Sequence, residues 1–227
     1  MDINVVIEKF TEKAQDLERY LLALEAIVRN HGAPLEGNSF YYHNSLHRFD
    51  ELYTKQMNLF WCGLQAQTRI CEIGFNAGHS ALLMLLGRDK TPIKFTVFDI
   101  GTHPYMRPAM EYLAKEFSHV SFECIVGDSV ETMGAWVKEH HTVLGTYDVV
   151  HVDGGHTEQC ILNDFSHARQ IVKPDGIVIV DDTNVPYIND VVTRAIANGD
   201  EELAVFPTTG YPHRLLRSKP WTNLNIF

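Results

Sequence analysis

Residues 69–80 read Arg-Ile-Cys-Glu-Ile-Gly-Phe-Asn-Ala-Gly-His-Ser, and this stretch decides the fold. A short apolar run ends at Glu72; Gly74, Asn76 and Gly78 follow; Ser80 starts a helix. Strand, tight turn and helix in that order make a nucleotide-binding corner, because glycine lets the backbone turn sharply and lets a ligand lie against it. Gly74 and Gly78 form G-x-x-x-G, not the G-x-G-x-x-G that brings amides onto a pyrophosphate, and there is no G-x-x-x-x-G-K-[ST] run. A ligand that carries a nucleoside but no phosphate suits such a corner.

Outward from the corner, β-rich runs alternate with helical ones. The pattern predicts strands at 69–73, 93–99, 120–126, 147–152 and 176–181. Helices are expected at 78–87, 106–117, 129–141, 157–171 and 186–198. Such alternation predicts an α/β fold: a doubly wound, Rossmann-like parallel sheet. Residues 203–207 and 213–217 read as two further strands, an antiparallel pair at one edge.

Upstream, Ile3, Ile7, Phe10, Ala14, Leu17, Leu21, Leu24 and Val28 are spaced alternately four and three apart, which predicts one helix ending at Asn30-His31-Gly32. This seam fits a dimerising helix, a lid, or a helix packed on its own domain. Residues 33–48 read as irregular, with the aromatic cluster Phe40, Tyr41, Tyr42 and His43, and a second helix is expected over about 49–66. The division is therefore a helical cap or dimerisation segment, 1–64, and a ligand-binding domain, 65–227.

Ligands of open α/β sheets bind at the carboxyl ends of the strands. Five consecutive predicted strands end in acid: Glu72, Asp99, Asp128 (followed by Ser129), Asp153, and the pair Asp181-Asp182. Asp99 stands 21 residues past Gly78, the spacing of a ribose-binding carboxylate. Asp128 suits an adenine amino group or a helix cap. Neighbouring carboxylates repel unless a cation or proton compensates. Asp153, Asp181 and Asp182, converging from adjacent strands, suit Mg²⁺ or another hard divalent ion; the alternative is one aspartate facing solvent and one capping the next helix.

Bulk properties narrow the partners. The chain has 227 residues and a net charge of −10, which argues against a broad nucleic-acid footprint. No apolar run nears the roughly 20 residues that span a membrane, and the first residues do not read as a signal peptide. The four cysteines are widely spaced with no C-x-x-C, as expected of reduced thiols in the cytoplasm.

Taken in order, Glu72-Ile-Gly-Phe-Asn-Ala-Gly-His-Ser, Phe98-Asp99, Gly127-Asp128-Ser129, Val152-Asp-Gly-Gly-His-Thr, Asp164 and Val172-Lys-Pro-Asp-Gly-Ile-Val-Ile-Val-Asp-Asp resemble the class I S-adenosylmethionine-dependent methyltransferases. The metal-dependent macrocin and cephalosporin-tailoring O-methyltransferase branch is the most similar. The resemblance spans about residues 65–185. It implies S-adenosylmethionine held by Glu72, Gly74, Asn76, Gly78, Ser80, Asp99, Asp128, Ser129 and Asp153, and Mg²⁺ held by Asp153, Asp181 and Asp182. It also implies methyl transfer to a small hydroxylated acceptor. The family often has an acid after Asp-Gly; here that place is Gly155, and His156 follows. His156 is a candidate base or a helix-capping group, and Asp153 a candidate catalytic acid residue. His151 reads as a core or second-layer histidine, while His103 and Tyr105 read as cofactor-edge or turn residues. The alternatives are a metal-independent N-methyltransferase, another enzyme using the same cofactor pocket, and a non-catalytic binding module.

Overall fold

The computed structural model describes residues 2–32, 39–40, 52–208 and 212–220. Tyr41, Tyr42, His43 and Tyr211 lie outside the described residues, and so does the start of the helix expected from 49.

Seven strands form one sheet in the order β3-β2-β1-β4-β5-β7-β6. They are β1 (Arg69–Ile73), β2 (Ile93–Asp99), β3 (Val120–Val126), β4 (Tyr147–Val152), β5 (Val172–Val180), β6 (Glu201–Leu203) and β7 (Arg214–Arg217). The first five are mutually parallel, and β7 runs antiparallel to both β5 and β6. This is the expected doubly wound sheet with an antiparallel edge. The eight α-helices among the described residues are α1 (Ile3–Glu12), α2 (Ala14–Asn30), α3 (Tyr53–Gln65), α4 (His79–Leu86), α5 (Met106–Glu116), α6 (Ser129–Glu139), α7 (Glu158–Ile171) and α8 (Pro186–Ala197). The two faces of the sheet carry separate apolar cores. One gathers α1 to α5; the other gathers α6 to α8. Both faces of β4 are buried, in keeping with a strand that is apolar except at Asp148 and His151.

Three boundaries differ from expectation, each for a local reason. The N-terminal seam is not one helix: it breaks at Lys13, whose backbone leaves helical geometry. The break lets the two halves pack on different neighbours. Phe10 of α1 meets the rings of Tyr53 and Phe60 at 5.7 and 5.1 Å, while Tyr20 of α2 meets Tyr112 and Phe117. Strand β5 begins four residues early, at Val172, because Lys173, Pro174 and Asp175 bulge out of it. Asp175 has φ +61°, and the register against β4 shifts between Tyr147 and Val149. Strand β6 covers Glu201–Leu203 rather than 203–207.

The core elements explain why the corner is rigid. All eight residues of α4 are buried, so this helix is apolar all round and lies beneath α3. The two helices approach until a Cβ on Gly63 would sit 2.0 Å from the Met84 carbonyl oxygen, which fixes Gly63 as glycine. At the start of β1, the Asp148 carboxylate accepts from the backbone N–H groups of Gln67, Thr68 and Arg69 and from Lys173. Burial alone would raise that carboxyl, but Lys173 and the three amides outweigh it and hold it below the usual range.

Candidate functional site

The parallel ladder continues past the strand ends, and this sets the site. Gly127 N donates to Asp99 O, Gly74 N to Phe98 O, Asp153 N to Ile73 O and Asp181 N to Val152 O, at 2.8–3.0 Å. The strand order 3-2-1-4-5 therefore lays Gly127, Asp99, Gly74, Asp153 and Asp181 side by side along one edge. A cleft of about 430 Å³ opens above the first four, within the range of small-molecule sites. Asn76, Asp99, Asp128, Ser129, Asp153 and His156 are among its walls.

Backbone contact shapes the corner. Gly74 has φ +90°, and a Cβ there would lie 1.9 Å from the Asp153 carbonyl oxygen, so β1 and β4 can close on each other only with glycine. Asp99 is 7% exposed. Its Oδ2 accepts from the N–H groups of Phe75 and Asn76, both at 2.9 Å, and its Oδ1 from Gly101 N at 2.7 Å. The acid read as a ribose ligand is thus also the clamp that holds the glycine loop, and it lines the cleft.

The other expected cofactor residues divide into two groups. Gly74, Asn76, Asp99, Asp128, Ser129 and Asp153 line the cleft. Asp128 Oδ1 also accepts from Val130 N and caps α6. Glu72, Gly78 and Ser80 do not line it. Glu72 is fully buried behind the loop, its Oε1 accepting from Ser80 Oγ at 2.6 Å and meeting His151 Nδ1 at 2.9 Å. Gly78 is the left-handed residue that starts α4. These three shape the corner from within. His103 lines the cleft and stacks on Tyr105, whose hydroxyl donates to Asn76 Oδ1.

At the β4–β5 end the three acids divide between two clusters that share Asp153. A ligand atom each from His151, Asp153 and Asp181 lie within 4.8 Å of one another, and so do atoms of Asp153, His156 and Asp182. His156 Nε2 is 2.7 Å from Asp182 Oδ2; that hydrogen bond raises the His156 pKa despite partial burial. Asp182 itself has φ +53°, a conformation its short side chain tolerates. Burial and the neighbouring Asp181 push the Asp153 carboxyl well above the usual range.

Sequence reasoning missed two residues here. Lys55, from α3, places Nζ 2.5 Å from Asp181 Oδ2 and 2.8 Å from Oδ1, with both side chains buried. Burial alone would raise the Asp181 carboxyl, but the Lys55 ammonium more than offsets this and holds it low. Lys55 lies 126 residues from its partner, and only its being the sole charged residue of α3 marks it. Ile100, on the cleft wall, is 58% exposed, an apolar surface next to the ribose-type acid. Its signal is its position directly after Asp99.

Residues 71–183 match a family model described as a methyltransferase domain. No curated protein matches in sequence at a significant level. Solved structures share the fold. Cofactor-bound Rv0187 from MTB superposes with a TM-score of 0.64 at 15% identity, over 88% of this chain and 90% of that one. An O-methyltransferase assignment is carried by two others. A Klebsiella pneumoniae structure described as a putative O-methyltransferase gives a TM-score of 0.60 at 16% identity, covering 90% of each chain. TomG of Streptomyces achromogenes, an O-methyltransferase of tomaymycin synthesis solved with SAM, gives 0.60 at 15% identity, covering 88% of this chain and 90% of that one.

Proposed function

We propose, for a chain that belongs to the methyltransferase-domain family, that the cleft takes S-adenosylmethionine and that its methyl group passes to an oxygen of a small hydroxylated molecule. One observation carries this reading. Asp99, which clamps the glycine corner, and Asp153 and His156 of the acid–histidine cluster line one and the same cleft. A nucleoside held at Asp99 brings its sulfonium methyl towards Asp153 and His156.

The residues fit this cofactor. Asp99 and Asp128 offer acceptors for ribose and adenine donors, Ile100 offers an apolar wall, and Gly74 lines the cleft beside Asp153 for the methionine part. Methyl transfer from a sulfonium is an in-line displacement, so the protein's task is to place the acceptor oxygen behind the methyl group and remove its proton. His156, half in the cleft mouth, has Nε2 engaged by Asp182; Nδ1 is then the basic nitrogen that takes the hydroxyl proton. Tyr187 holds the His156 backbone by donating to its carbonyl oxygen at 2.5 Å.

A divalent cation suits the carboxylates of Asp153, Asp181 and Asp182: Asp153 shares one cluster with Asp181 and another with Asp182, and neither cluster contains a thiolate. Such an ion supplies Lewis acidity that lowers the acceptor hydroxyl's pKa. A second reading, metal-free transfer to oxygen or nitrogen, is favoured by one observation: Lys55 already supplies a cation to Asp181. A panel of hydroxylated and amine acceptors, read by S-adenosylhomocysteine release with Mg²⁺ or with chelator, tests both. Release only from hydroxylated acceptors and only with metal supports the first; release in chelator supports the second; no binding of S-adenosylhomocysteine overturns both.

Two further expectations stand as part of this proposal. Four free cysteines suit a reducing cytoplasmic setting, and among the described residues no helix is long and apolar enough to cross a membrane. Phe10, Leu21, Leu24 and Val28 of the N-terminal seam are buried within the chain, so a homodimer through these helices would use the exposed Ile3, Ile7 and Leu22.

A further inference from the structure

Beneath the cleft, Asp153 and Asp181 border a buried group, His151, that the chemistry above does not use. His151 of β4 is fully buried. Its Nδ1 meets Glu72 Oε1, and its Nε2 has no hydrogen-bond partner among the described residues. A buried imidazole nitrogen left unpaired costs free energy unless something binds it. A ring nitrogen of His151 and oxygens of Asp153 and Asp181 lie within 4.8 Å of one another. Nδ1 is already held by Glu72, so Nε2 is the nitrogen available there. A carboxylate that holds one ring nitrogen of a histidine while the other faces a cation is the arrangement that orients metal-ligating imidazoles. Glu72 and His151 are directly opposed on β1 and β4, so the sheet register fixes this orientation.

The same cluster has a cationic neighbour supplied by the chain. Lys55 Nζ reaches in from α3 and lies against both oxygens of Asp181. We propose that the space between His151, Asp153 and Asp181 is a cation site with two mutually exclusive occupants, the Lys55 ammonium and a divalent ion that accepts imidazole, such as Mn²⁺. Lys55 therefore sets how strongly the enzyme depends on metal. The inference rests on the cation part of the proposed function and adds its regulation.

Exclusivity follows from charge and geometry. An ammonium and a divalent ion sharing Asp181 would stand a few ångströms apart in a buried setting, where their repulsion is poorly screened. One imidazole among two carboxylates also shifts preference from Mg²⁺ towards Mn²⁺, Fe²⁺ or Zn²⁺, because imidazole is a softer ligand than oxygen. Lys55 sits near the start of α3, on a flexible four-carbon stem that can withdraw without moving a strand.

The test is Mn²⁺ binding to the full chain, wild type against Lys55→Met, by calorimetry or by Mn²⁺ electron paramagnetic resonance. Circular dichroism and S-adenosylhomocysteine binding are recorded on the same samples. The expected result is at least tenfold tighter Mn²⁺ binding by Lys55→Met, lost again in Lys55→Met/Asp181→Asn. Equal affinity in the two proteins overturns the competition and leaves the cation reading standing. A folded Lys55→Met that binds S-adenosylhomocysteine but no Mn²⁺ overturns the competition and the cation reading together, with the methyltransferase reading untouched. If Lys55→Met does not fold, the wild type decides. Amine-reactive labelling of Lys55, mapped by mass spectrometry, should rise severalfold on adding Mn²⁺; labelling unchanged at millimolar Mn²⁺ overturns the proposal.

Discussion

The backbone N–H of Asn76 donates to Asp99 Oδ2 at 2.9 Å, so the acid at the end of β2 holds the loop at the end of β1 in its ligand-ready shape. The same oxygen takes the N–H of Phe75. Loop order therefore depends on one carboxylate, and with it the proposed binding; the variants below separate its role from those of its neighbours.

Asp99→Ala removes an acceptor for three backbone N–H groups. S-adenosylhomocysteine affinity, measured by calorimetry, should fall by about 100-fold, or about 2.7 kcal/mol. The thermal midpoint should fall as well, because buried amides lose their partner. Unchanged affinity would remove Asp99 from the cofactor site.

Gly74→Ala puts a Cβ 1.9 Å from the Asp153 carbonyl oxygen at a backbone φ of +90°. The chain must open β1 from β4 to accept it. A loss of at least about 2 kcal/mol in denaturant unfolding is expected, together with loss of cofactor-product binding. Full stability would show that the two strand ends can separate freely.

His156→Ala tests the proton acceptor. His156 lines the cleft, and none of its hydrogen bonds described here supports the glycine corner. The turnover number should drop by about 10²–10⁴-fold, while S-adenosylhomocysteine affinity stays within about twofold, well under the 1.4 kcal/mol of a tenfold change. A drop in affinity with turnover preserved would assign His156 to cofactor binding instead.

Asp148→Asn reports on stability far from the chemistry. Asp148 is buried, and its folded carboxyl lies below its ordinary value. A depressed carboxyl contributes stability that is present above the unfolded pKa of about 4 and is lost as pH falls through the folded value. The variant should lose about 2–3 kcal/mol at neutral pH. The gap between wild type and variant, read by urea unfolding, should narrow as pH falls from 5 towards 2. A gap independent of pH would mean that packing, not charge, sets the cost.

Asp181 and Asp182 show how far local sequence reaches. Their position at the end of an apolar strand, beside Asp153 at the end of another, was legible because strand-end acids need only a period-2 pattern and a turn. The corner of residues 69–80 was legible for the same reason: glycines at fixed offsets act on their own backbone. The break at Lys13 was not legible, since the heptad spacing continues through it and only the positions of α3, α4 and α5 split the seam. The double duty of Asp99 was hidden too, because its amide donors belong to a loop 24 residues away.

The sequence by itself determined the doubly wound sheet, the glycine corner and the row of acids, all of which depend on interactions between near neighbours in the chain. Only the tertiary structure decided which groups neutralise those acids. It set Glu72 on His151 through the pairing of β1 with β4, and Lys55 on Asp181 through the packing of α3 over α4. Charge pairing acts over a few ångströms in space, and no spacing along the chain encodes a contact between positions 55 and 181.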